Sequence, residues 1–180
     1  MLARIAAALL GALLWLSAEG LGAQPAAAGA PPGAGGRLLE QATEAFFNES
    51  LSNAAVRGLL DRSRAAFAAL ADRCQSAYWQ ARVQYLYGFV EQAVRQPKAA
   101  EARFRESLDL ANASLQCGAY SEGFRLMADA QAQLLILNNL AYKMTHGQKA
   151  KHWVERAVEL DPDNPAAQLS LALYYKNAPG

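Results

Sequence analysis

Histidine, cysteine and isoleucine are nearly missing from this 180-residue chain: two histidines, two cysteines, and a single isoleucine after residue 23. Valine is sparse as well, while alanine, leucine and other straight-chain helix formers dominate. A sheet needs β-branched side chains to pack its pleated faces, so the fold class expected is all-α. His146 and His152 stand six apart, with no cysteine or paired carboxylates at ligand spacing, so no metal site is expected. No C-x-x-C pair is present to suggest redox catalysis. G-x-S-x-G, the P-loop and the dinucleotide glycine fingerprint are all missing, and the glycine-rich stretch near the start follows no strand. Asp161 and Asp163 form the nearest thing to a carboxylate pair, but they sit in a turn, where helix punctuation explains them. A formal charge of +1 gives no reason to expect nucleic acid or an anionic membrane surface as partner. A noncatalytic protein without a cofactor is therefore expected, and a small exported enzyme is the weakest alternative.

What is present falls into three parts. Residues 1–23 have the layout of a signal peptide. Arg4 supplies the positive start, Ile5 to Ala18 is an apolar run of 14 residues, and Leu21-Gly22-Ala23 is a small-residue cleavage end. The run is short for a bilayer span. An uncleaved anchor is the other reading. No cysteine stands directly after the cut, which argues against a lipoprotein. The expected location is the bacterial periplasm, with secretion as the alternative. Residues 24–36 hold Ala, Gly and Pro without large apolar side chains and read as a flexible linker. Residues 37–180 read as one helical domain.

Within that domain apolar residues recur at three- and four-residue spacing. Helices are expected over 37–48, from an Asn53 cap to about Asp72, over 75–96, and from Pro97 to about Leu115. A long helix is expected from Ser121 to Thr145. His146-Gly147 breaks it, and a further helix carries Ala150, Val154 and Ala157. Asp161-Pro162-Asp163-Asn164-Pro165 ends that one and starts the last, with Asn164 as cap and Pro165 in the first position. The stretch 131–164 thus reads as a helix–turn–helix unit of 34 residues. Cys74 and Cys117 flank the third and fourth helices. An antiparallel hairpin of two equal helices returns both to one end. A disulfide is expected in an exported chain, with two separate buried thiols as the alternative.

Leu134, Leu137, Asn138, Ala141, Ala150, Ala157 and Pro162 together resemble the tetratricopeptide repeat (TPR), whose period is about 34 residues. Gly88, Ala100 and Phe104 fit a degenerate repeat over 81–114, although Glu91 and Asn112 replace its usual Tyr and Pro. Residues 165–180 resemble part of a further repeat. The runs 120–128, 157–165 and 174–179 are similar to exported bacterial, spirochaete-type TPR proteins. The resemblance implies a right-handed α-solenoid of antiparallel helix pairs, about three pairs plus one C-terminal helix. It also implies a binding surface on the concave side, lined by the first helix of each pair. Carried onto this chain, that surface takes Arg82, Tyr85, Phe89, Leu135, Asn139, Tyr142, Lys143 and Leu169. A protein or peptide partner is the first expectation. An apolar small molecule or a transporter component is the second, because some TPR relatives assemble with solute-binding proteins of TRAP-type transporters. Three endings stay open for the last helix: it caps the stack alone, it forms a homo-oligomeric contact, or it continues into more repeats.

Overall fold

The computed structural model describes residues 31–177, and among these there is no strand. Seven α-helices follow one another: α1 (Gly33–Phe47), α2 (Asn53–Ala68), α3 (Arg73–Ala93), α4 (Pro97–Ser114), α5 (Ser121–Leu137), α6 (Leu140–Leu160) and α7 (Pro165–Asn177). A short 3-10 turn, Leu115–Cys117, links α4 to α5. Each helix packs on its neighbours in sequence, and α1 also touches α3, α3 touches α5, and α5 touches α7. The odd-numbered helices therefore form a continuous row. None of the described helices is long and apolar enough to cross a membrane. The signal peptide and residues 24–30 of the linker lie outside the described residues.

Local chemistry explains most boundaries. Ser52, rather than Asn53, caps α2, its hydroxyl accepting from the Ala55 N–H at 3.2 Å. Asp72 was expected to end α2 but instead caps α3, accepting from the Cys74 and Gln75 N–H groups at 2.9 Å each. Pro97 occupies the first turn of α4, where its missing N–H costs nothing. Asn164 caps α7, accepting from Ala166 at 3.0 Å and Ala167 at 3.1 Å.

Two expectations need correction. The linker reading ran to residue 36, yet α1 begins at Gly33 and buries Gly35 and Gly36. Their missing side chains are the reason. A Cβ on Gly35 would stand 2.9 Å from the Phe67 ring, so only glycine lets α1 approach α2 this closely. Ser63 then donates to the Gly35 carbonyl at 2.8 Å.

The larger correction concerns the stretch 131–164. The chain turns at Asn138-Asn139, not at His146-Gly147, which lie inside α6. The two asparagines explain it. Asn138 closes α5, its side-chain amide donating to the Leu134 carbonyl at 2.9 Å. Asn139 opens α6, accepting from the Tyr142 N–H at 3.1 Å. One interior glycine costs a helix only about 1 kcal/mol. A local contact and tertiary packing together cover that cost: the His146 ring stacks on Tyr142 one turn earlier at 4.0 Å, and Ala150, Val154 and Ala157 are buried against the neighbouring helices.

The core runs through α1 to α5 and is aromatic at its centre. Phe67 stacks on Trp79, Trp79 meets Tyr78 edge-on, and Tyr85, Phe89 and Phe104 form a triangle with centroids 5.0 to 5.6 Å apart. Small residues make room for these rings. A Cβ on Gly88 would lie 2.4 Å from the Phe104 ring, so the α3–α4 crossing admits no side chain there. Ser107 is wholly buried on the same seam and donates to the Ala81 carbonyl at 2.9 Å. At the far end of this hairpin Cys74 and Cys117 are joined in a disulfide, with Cα atoms 6.1 Å apart.

Candidate functional site

The row of odd-numbered helices carries a shallow depression. Leu39 and Thr43, one turn apart on α1, form one wall. Arg82, Tyr85 and Leu86 of α3 form the other, and Leu126 of α5 closes one side. Its empty space is about 260 Å³, part of it open to solvent. The wall is mostly aliphatic. Thr43 spends its hydroxyl on the Leu39 carbonyl at 2.7 Å, which leaves its methyl as the free group.

Arg82 is the one cation in the lining. It is half-buried, its guanidinium lies 5.1 Å from the Trp79 ring centroid, and it forms no ion pair or hydrogen bond among the described residues. A guanidinium has five N–H donors in a rigid fork. Those of Arg82 are available to a ligand carbonyl or carboxylate.

Beside the depression lies a polar cluster that is already saturated. Glu122 accepts from Arg125 through both oxygens, at 2.9 and 2.8 Å, from Asn164 at 2.8 Å and from the Tyr78 hydroxyl at 3.2 Å. The other arm of Arg125 donates to Asp129 at 2.5 Å. Burial alone works to raise the Glu122 pKa, but the Arg125 charge and the hydrogen bonds from Arg125 and Asn164 hold it at about 2. Asp129 goes the other way: burial outweighs Arg125 and raises it. Burial also raises the Tyr85 hydroxyl, with the Asp129 charge acting in the same sense. A carboxylate, a guanidinium and a second carboxylate that already bond one another make a structural tie rather than a set of groups awaiting a substrate.

The eight residues expected on one concave wall divide into three groups. Arg82 and Tyr85 do line the depression. Phe89 is buried in the ring triangle and Tyr85 is sealed along most of its surface, so neither offers an open face. Leu135 stays on α5 and Leu169 on α7, each half-buried. The turn at Asn138-Asn139 carries the rest away from α5. Asn139 is spent on its cap, and Lys143 is exposed on α6. Tyr142 is half-buried, takes a hydrogen bond from Gln131 at 3.2 Å and lies beneath the Arg105 guanidinium at 5.5 Å. Leu39, Thr43, Leu86 and Leu126 were missed as lining. All four are nearly wholly buried, so they floor the depression as part of the core, and only tertiary packing shows which core side chains lie beneath a depression.

Compared with known proteins, the chain matches no family model, no curated sequence and no solved structure.

Proposed function

We propose that this protein is an exported, noncatalytic TPR-like solenoid that binds a protein or peptide partner along its row of odd-numbered helices. The observation that carries this reading is the half-buried Arg82, without an ion pair among the described residues, at the edge of a shallow depression. A partner's carbonyl or carboxylate would meet Arg82, with the buried Leu39, Leu86 and Leu126 as the floor beneath it. The runner-up, an accessory that carries an apolar solute for a transporter, needs an enclosure. The depression is shallow and partly open to solvent, whereas small-molecule pockets bury most of their ligand's surface. The hairpin α3–α4 supports the solenoid reading, because Gly88, Ala100 and Phe104 meet where helix pairs of that kind approach most closely.

The test is selection of random displayed peptides on the oxidised protein, followed by methyl NMR. Selected peptides should shift Leu39, Leu86 and Leu126, and Arg82→Ala should weaken them roughly tenfold, the scale of a charged hydrogen bond. Peptides that bind while leaving all three methyls unmoved would sink the proposed site.

A further inference from the structure

Away from the depression, the α5–α6 turn carries the three most exposed large apolar side chains among the described residues. Ile136 is 65% exposed, Leu140 70% and Met144 76%. Leu140 and Met144 are one turn apart on α6, and Ile136 precedes the turn, so the three crown one tip of the molecule. The surrounding charge has one sign. Between Asp129 and Glu155 the chain has no acidic residue, but it has Lys143, Lys149, Lys151 and both histidines. Lys143 and Lys149 are exposed and form no ion pair among the described residues, while Lys151 is tied to Glu155 at 3.7 Å. Lys143 adjoins Met144 in sequence, and Lys149 stands about 7.5 Å behind Met144 along the helix axis and about 140° around it, so both lysines reach one plane only if α6 meets it end-on. The acid that reaches the turn from α4 is Glu101, 3.4 Å from the Asn138 amide, and Arg105 neutralises it at 2.6 Å. From the other side Tyr174 bonds the Gly147 carbonyl at 3.4 Å, which brings the last turn of α7 and its exposed Lys176 to the same end.

From this geometry we infer that the α5–α6 tip docks on an anionic lipid surface. The side-chain chemistry selects a bilayer over a protein. Protein interfaces favour aromatic rings, methionine and arginine at their centres and are depleted in lysine. Here two of the three exposed apolar groups are plain aliphatic chains, and the unpaired charges are lysines, whose long stems lie along apolar surface while the ammonium stays at headgroup level. Shallow insertion of Ile136, Leu140 and Met144 removes them from water, and Lys143 and Lys149 meet lipid phosphates. The net charge of the whole chain hides this, because the acids gather elsewhere.

A nitroxide at Met144→Cys in the full, disulfide-intact chain reads the tip directly, whatever residues 1–30 do at a membrane. Ala54→Cys, exposed on α2, is the control. With vesicles of equal phosphatidylglycerol and phosphatidylcholine, the label at 144 should become more accessible to oxygen than to a water-soluble nickel complex. The label at 54 should not. Phosphatidylcholine alone or 0.5 M salt should reverse most of the change. Lys143→Gln with Lys149→Gln should weaken it about 30-fold, at roughly fivefold per lysine near the surface, with the fold checked by circular dichroism. A label at 144 that stays water-exposed on anionic vesicles overturns the inference. So does equal immersion in neutral vesicles, or immobilisation that follows protein concentration and not lipid.

Discussion

Single residues set the tightest constraints here. Gly88→Ala places a methyl where the Phe104 ring already stands, 2.4 Å away. Overpacking of this kind costs about 1–3 kcal/mol, so urea unfolding of this variant should show a lower midpoint. A cost near zero would mean that α3 and α4 do not cross at this point. Glu122 has a folded pKa near 2, below the 4.5 of a free carboxyl. In that window the unfolded chain holds the proton and the folded chain does not, so stability is complete above about pH 4.5 and falls as pH drops toward 2. Asp129 has the opposite sign: its raised folded pKa removes stability as pH rises through the ordinary carboxylate range. Glu122→Gln should therefore flatten the acid limb of stability measured by denaturant titration between pH 2 and 5. It should also cost about 3–5 kcal/mol at pH 7, because Arg125 stays buried with one partner fewer.

Helices and their pairs were largely legible before any coordinates, and the failures are local. Pro97, and Asn164 with Pro165, announced their boundaries because each acts on its own backbone. The α5–α6 turn did not, because Asn138 and Asn139 have modest breaking power and His146-Gly147 looked stronger. The Tyr142–His146 pair, four apart, was there to be read as helical; the burial of Ala150, Val154 and Ala157 that carries the helix through Gly147 does not show in a linear pattern. That one misplaced turn also scattered the expected wall, moving Asn139, Tyr142 and Lys143 off the helix that holds Leu135. The cysteines were legible for a geometric reason: two helices of similar length must bring their outer ends together. The disulfide joins positions 43 residues apart. Loop-closure entropy assigns such a link about 4 kcal/mol, so Cys74→Ser with Cys117→Ser should lower the urea midpoint accordingly. A change below about 1 kcal/mol would mean that the α3–α4 seam already confines the unfolded chain.

Across the whole molecule, burial is uneven. Fourteen residues of α3 and eleven of α5 are buried, against three of α6 and two of α7. Backbone amides protected by little apolar cover open first. Hydrogen exchange should therefore be fast through α7 and the first half of α6 and slowest in α3. Uniform protection would argue that the seven helices unfold as one unit. The depression lies on the slow side, between α1, α3 and α5, while the α5–α6 tip lies on the fast side. The two proposed surfaces can thus be separated by their exchange rates before either is mutated.

Asn164 performs two tasks with the two ends of one amide. Its oxygen takes the first free N–H groups of α7, and its nitrogen donates to Ser121 at 3.0 Å and Glu122 at 2.8 Å. Few side chains can replace it, although several would serve as caps. Aspartate keeps the cap and the shape but turns a second carboxylate toward Glu122. Serine keeps the cap and is too short to reach. Asn164→Asp should therefore be much the more damaging at neutral pH and should recover as one acid takes up a proton. Asn164→Ser should cost a smaller amount, which fades only as Glu122 itself takes up a proton at low pH, because the lost hydrogen bond helped keep that carboxylate ionised. A pair of pH-dependent melting curves tells these apart, and with them whether this asparagine matters as the start of a helix or as the pin that holds it to its neighbour.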